Sequence, residues 1–155
     1  MKSRRLNQTV SVLDVAAYVL ANHTRNTPIL AWKMHKLMYY CQVCLLVRDG
    51  YPFFHEKIMA SPKGIVIEEL CGLHYGQLYV GDSSKGNLNH LSLRQIDVID
   101  EVMKKYGVMS LEALDELSKN DSPWKAIRDA LDPKSKASIE ITPESIQKYY
   151  NTHKL

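Results

Sequence analysis

The chain has 155 residues, 45% of them apolar and 24% charged, with a formal net charge of +3; this balance fits one soluble globular domain. A fold of this size buries roughly 70% of the surface its unfolded chain exposes, so a self-sufficient core is expected. The mild charge, with acids set among the lysines, argues against a dedicated nucleic-acid reader, and no apolar run reaches the roughly 20 residues of a membrane span.

At the N-terminus Lys2, Arg4 and Arg5 form the only dense basic cluster, with no apolar region or small-residue cleavage site behind it. Residues 1–10 therefore read as a solvated, flexible stretch and not as a secretory signal. Residues 11–155 read as a single domain, without an internal repeat, low-complexity tract or linker. Three cysteines are an odd number without the density of a disulfide scaffold, which places the chain in a reducing cytoplasm.

In chain order, Ser11 with Asp14 approximates a capping box that opens a helix through Val15 and Leu20. Thr27-Pro28 reads as the next start, since a hydroxyl residue can cap while proline takes the first helical position. The segment Ile29 to Val47 that follows is apolar almost all the way round. Leu30, Met34, Leu37, Cys41 and Leu45 share one face, and Trp32, Tyr39, Val43 and Leu46 occupy much of the opposite one. A helix with apolar residues on every side is enclosed by its neighbours. Tyr51-Pro52-Phe53-Phe54 suggests a short extended edge, and Gly64 to Tyr75 a helix, given the spacing of Ile65, Leu70 and Leu73. Gln77 to Val80 reads as a strand and Gly81 to Asn87 as a loop. Ser92 with Gln95 opens a helix to about Tyr106, with Gly107 as its stop, and Ser110 opens another through Leu117. Ser122-Pro123 and Thr142-Pro143 repeat the hydroxyl-proline device, and Ser138 to Ile141 is a third strand candidate. The expected fold is mainly α: a compact single-domain helical bundle around a buried central helix, with a small β element.

Few constellations carry chemistry. Cys41-x-x-Cys44 and Cys71-x-x-His74 offer four donors in two close pairs, the spacing of some structural zinc sites. Cys41 and Cys44 lie inside the apolar helix, however, where cysteine serves as a small core residue, so no metal is expected. Cys71 and His74 are also the nearest thiol–base pair, but nothing orients them for nucleophilic work. His35 reads as a partly exposed helix residue. Glu68-Glu69 point in different directions on their helix, and Asp97, Asp100 and Glu101 suit a solvated face. The glycines Gly81 and Gly86 lack phosphate-loop spacing. Trp124 reads as a staple holding its helix to the bundle. Of Tyr149 and Tyr150, one is expected to pack inward and the other to border solvent. On residues alone, a binding protein is favoured over an enzyme.

Four pieces in order resemble the Panacea-domain antitoxin family, SocA-like and prophage GepA-like. They are Val12 to Tyr18; Met34 to Gln42, which contains Lys36-Leu37-Met38-Tyr39-Tyr40; Pro52 to Ala60 followed by Gly64-Ile65-Val66; and Leu117-Ser118 through Ser122-Pro123-Trp124, continuing from Ile141 to Tyr149-Tyr150. Two positions depart from the family pattern: Ser61 stands where tryptophan is expected and Ile65 where proline is expected. The resemblance implies an antitoxin that binds a cognate protein toxin encoded by an adjacent gene, with a protease as a possible further partner. It implies no cofactor and no catalytic residue, and the lack of a long apolar run leaves no membrane partner expected. Lys36, Leu37, Tyr39, Tyr40, Gly64, Val66, Pro123, Trp124, Tyr149 and Tyr150 then act mostly as structure. The divergent stretch with Ser61, Lys63, Glu68, Glu69 and Tyr75, together with Tyr79, is the expected partner surface. The alternative reading is a phage-associated regulatory protein with weak nucleic-acid binding through the basic N-terminus.

Overall fold

The computed structural model describes residues 8–25 and 27–155, so the cluster of Lys2, Arg4 and Arg5 lies outside the described residues. Among these the architecture is mainly α, with seven α-helices and two small sheets. α1 (Val12–Tyr18) begins at the expected capping box: Ser11 Oγ accepts from the Leu13 N–H and Asp14 reaches back to the Ser11 N–H. A π-helical turn, Val19–His23, extends it. The start of the described chain is tied down too, because the Val10 N–H donates to Phe53 O and Gln8 O accepts from Gln95.

The central helix is α2 (Ala31–Asp49), and every residue from Met34 to Leu46 is buried. Four elements enclose it: β3 (Gly64–Ile67), α4 (Leu93–Tyr106), α5 (Leu111–Asn120) and α7 (Pro143–Thr152). That enclosure is the physical meaning of its all-round apolar sequence, since each fully buried large side chain contributes about 1.5–3 kcal/mol. Thr27-Pro28 does not start this helix. Ile29–Leu30 forms β1 and pairs antiparallel with β4 (Tyr79–Val80), and the Ala31 N–H donates to Leu78 O at 2.9 Å. Strand pairing holds the backbone extended until Ala31, and Leu30 precedes the helix without a side-chain cap.

The second sheet has the order β3-β2-β5, all antiparallel, with β2 (Ile58–Ser61) at its centre and β5 at Ile139–Ile141. Pairs run Ile58 with Ile67 and Ala60 with Ile65, which puts the buried residues of both strands on one face, and β3 packs against α2. The helix expected over Gly64 to Tyr75 is therefore two elements. Gly64–Ile67 is strand, and only Glu68–His74 is helix, α3. Three successive β-branched residues, Ile65-Val66-Ile67, favour the pleated conformation, and the acidic pair Glu68-Glu69 begins the helix where its dipole favours negative charge.

Tyr51-Pro52-Phe53-Phe54 forms no strand. Its backbone is instead held by the side chain of Gln42: Oε1 accepts from the Phe53 N–H at 2.7 Å and the Phe54 N–H at 3.3 Å, and Nε2 donates to Phe54 O at 3.0 Å. The remaining helices start where expected, α4 after Ser92, α5 after Ser110, α6 (Pro123–Asp129) after Ser122 and α7 after Thr142, each capped by that hydroxyl. Gly107 ends α4 with an ordinary right-handed φ of −62°. Its glycine answers a need for space, because a Cβ there would run into the Met103 carbonyl oxygen.

Candidate functional site

Three residues of the family pattern, Lys36, Gly64 and Trp124, meet at the β2–β3 hairpin. Lys36 leaves the buried face of α2 and is 3% exposed; its Nζ donates to Ile65 O on the outer edge of β3 at 3.1 Å. Asp115 on α5 stands 3.6 Å from the same ammonium and binds Lys119 Nζ at 2.9 Å, one helical turn along. Burial pulls the Lys36 ammonium below the ordinary lysine value, and the Asp115 carboxylate opposes that shift. One residue earlier, His35 Nδ1 accepts the Ile67 N–H at 3.0 Å. Two side chains of α2 thus occupy the edge of β3 that would otherwise offer open backbone groups to another strand.

Gly64 belongs to this arrangement. Its φ is +140°, a conformation L-residues avoid, and a Cβ there would lie 3.0 Å from Asp115 Oδ1 and 3.2 Å from Lys36 Nζ. Gly64→Ala is expected to lower stability by about 2 kcal/mol, combining backbone strain with a displaced ion pair. The check is urea unfolding, where the midpoint should fall while the slope stays unchanged.

Ser61 is largely structural: its Oγ donates to Gly64 O at 2.7 Å and accepts from the Lys63 N–H, closing the hairpin turn. Trp124 is the staple the sequence suggests. Its Nε1–H donates to Ser61 O at 2.8 Å, the Lys119 ammonium lies 5.5 Å from its ring, and Ser122 caps its backbone. Pro123 is buried at the first position of α6. Tyr39 is fully buried with its hydroxyl 3.2 Å from that of Tyr150, which donates to Asp121 O, whereas Tyr149 stacks on His153. Tyr40 stacks on Tyr106 with ring centroids 4.1 Å apart. Leu37 is core.

Lys36, Gly64, Val66 and Asp115 line a cavity of about 490 Å³, walled by Trp32 and Leu111 and edged by Lys63 and Glu112. Trp32, 40% exposed, joins this cavity to an apolar surface formed by Tyr75, Leu78 and Tyr79. The link runs through contacts: Trp32 stacks on His35 and meets His74 edge-on, while Leu78 and Tyr79 pair with the chain just before Trp32. Of the expected partner surface, Lys63, Tyr75 and Tyr79 are exposed here, and Glu68 and Glu69 are exposed on the first turn of α3. Leu111 and Asp115 escaped the sequence reading, and Trp32, expected on the enclosed apolar surface of the central helix, is instead 40% exposed near its start, where the neighbouring elements do not cover it. The four-residue spacing of Asp115 and Lys119 was the only local signal.

The thiol and imidazole groups divide differently from the expected pairs. Cys41 and Cys44 are core residues with thiols pushed up by burial. Cys71, His35 and His74 bring their ligand atoms within 4.8 Å of one another. His35 is fully buried, contrary to its expected partial exposure. The Ile67 N–H can only donate, so His35 Nδ1 accepts and its proton sits on Nε2, 3.0 Å from His74 Nε2. A metal held by His35 Nε2 would need that nitrogen bare and Nδ1 protonated against the Ile67 N–H. The geometry is that of a hydrogen-bonded imidazole pair. Burial, then the Glu68 charge, raises the Cys71 thiol, the reverse of an activated nucleophile.

Asp97, Asp100 and Glu101 lie on the solvent-facing side of α4, as expected, and two of them also hold neighbouring side chains. Asp100 accepts from the Tyr18 hydroxyl and contacts His23, and Glu101 pairs with Arg48. No described helix is long and apolar enough to cross a membrane.

No curated protein and no solved structure matches the chain. A family model described as antitoxin SocA-like, Panacea domain, matches residues 34–125, from the end of the first turn of α2 to the start of α6. The match contains Lys36, Gly64, Asp115 and Trp124, which the fold gathers at the hairpin, and covers more than half the sequence: the chain belongs to the SocA-like antitoxin family of Panacea-domain proteins.

Proposed function

We propose that this chain neutralises a cognate protein toxin, the product of an adjacent gene, by binding it directly. The observation that carries this reading is the antitoxin-family match across the central helix, the hairpin and α5. A rigid, enclosed core and an exposed apolar surface around Trp32 and Tyr79 accord with a protein that acts through contact and not through catalysis. Residues 11–155 act as one folded unit in the cytoplasm, encoded in DNA of prophage or other mobile origin, and delivery of the bound toxin to a protease is a second step of the same encounter.

The test is growth after induction of the neighbouring reading frame, with and without this chain. Growth arrest relieved by co-expression is the expected outcome. Arrest that persists at matched expression would overturn neutralisation of that neighbour. Toxin half-life with and without the chain separates stable sequestration from hand-over to a protease.

A further inference from the structure

We infer that the cavity between the N-terminal half of α2, the β2–β3 hairpin and the first turn of α5 is the docking groove for the toxin, and that it receives a segment pairing an apolar side chain with a carboxylate. This rests on the antitoxin reading and adds the place and chemistry of the encounter.

Lys36 decides the chemistry. An ammonium carries three protons. One goes to Ile65 O at 3.1 Å, and Asp115 offers a loose contact at 3.6 Å while holding Lys119 more closely. Among the described residues the third proton has no acceptor, although the side chain is only 4% exposed and lines a cavity of about 490 Å³. Held by one carbonyl and one loose carboxylate contact, the buried ammonium keeps donor capacity for a further acceptor. A carboxylate entering the groove would complete it with a charge-assisted hydrogen bond, the stronger kind. Lys63 at the rim has no ion-pair partner among the described residues and adds a second positive charge on the approach. In the lining Lys36 and Lys63 stand against Asp115 and Glu112, and Asp115 is already held by Lys119 beside the groove, so the lysines keep charge for an acidic arrival.

The walls decide the rest. Trp32 and Leu111 line the same cavity as Val66, and the tryptophan is itself 40% exposed. Apolar walls surrounding a desolvated charge are the anatomy of an interface centre, where a large anchor fills a pocket and excludes water from one strong polar contact.

The experiment uses the full chain and the purified product of the neighbouring reading frame, with affinity measured by calorimetry. Leu111→Glu puts a charge on the apolar wall at the first position of α5, where a carboxylate also suits the helix dipole. Leu93→Glu makes the same change at the first position of α4, also after a serine cap and outside the groove. Leu111→Glu is expected to weaken binding at least about tenfold, and Leu93→Glu by less than about twofold. Lys36→Met, measured where circular dichroism shows it folded, is expected to weaken binding about tenfold by removing the carboxylate's partner. If wild type and Leu111→Glu bind alike, the groove is wrong while the antitoxin reading stands. If only Lys36→Met binds like wild type, the acidic anchor is wrong. If the wild-type chain neither binds nor relieves its neighbour, both inferences fall together.

Discussion

Replacing Gln42 by leucine is expected to cost about 3 kcal/mol of folding stability, although the change is nearly isosteric and adds apolar surface to a core helix. Gln42 is 2% exposed and meets three backbone groups of the Phe53-Phe54 segment, two N–H donors and one carbonyl. A buried polar group left without its partner costs roughly 1–3 kcal/mol, and leucine would orphan all three. Phe53 and Phe54 are themselves fully buried, so the segment cannot swing out to water without exposing two aromatic rings. Relaxation therefore offsets only part of the loss. The measurement is urea unfolding of the variant against wild type at neutral pH, read from the midpoint at constant slope. A loss below about 1 kcal/mol would mean that the Phe53-Phe54 backbone finds other partners and that the glutamine clamp is incidental.

That clamp marks where the sequence was legible and where it was not. The central helix was readable because apolar residues occur on every side of it from Met34 to Leu46, although the burial of His35, Lys36 and Gln42 among them was not. Helix starts at Ser11, Ser92, Ser110, Ser122 and Thr142 were readable because capping is local chemistry between residues two or three apart. Thr27-Pro28 carries the same local signal and failed, since a remote partner, Tyr79–Val80, claimed Ile29–Leu30 for a strand. Phe53-Phe54 failed for a related reason: the run has strand-like residues, but its backbone partner is a side chain eleven or twelve positions away.

The candidate site follows the same rule. Lys36, Gly64 and Trp124 were singled out through the family resemblance, yet nothing in their local sequence says that they meet. Their convergence depends on the hairpin, and β2 (Ile58–Ser61) had no strand assigned to it from the sequence. Gly64 to Ile67 was read as helix because Ile65, Leu70 and Leu73 happen to satisfy helical spacing. With the hairpin in place, Gly64 is a steric gap for an ion pair and Ser61 is a turn cap. Asp115 then follows as the residue that ties α5 to the central helix.

Acid is expected to destabilise the protein through His35 well above the pH at which carboxylates titrate. His35 is fully buried, and both its nitrogens are committed in the neutral ring: Nδ1 accepts the Ile67 N–H and Nε2–H points at His74. A proton added at Nδ1 would face the Ile67 N–H, breaking the anchor between α2 and the edge of β3. Burial first, then the nearby His74 and Lys36, lowers the His35 pKa to about 3. The unfolded chain titrates its histidines near about 6.5, so between these values the unfolded state binds the extra proton. Stability from this group is therefore complete above about pH 6.5. It falls by up to about 1.4 kcal/mol for each unit as the pH drops toward about 3. Charged groups around the ring do not reverse the sign, because Lys36 is a like charge and Cys71, with its thiol raised, stays neutral. The measurement is the urea midpoint between pH 7 and 4 for wild type and His35→Asn. Asparagine keeps an acceptor for the Ile67 N–H but takes up no proton, so its curve should start lower at pH 7 and decline by about one proton's worth less. Parallel curves for the two proteins would assign the acid sensitivity to other groups and remove His35 from the account.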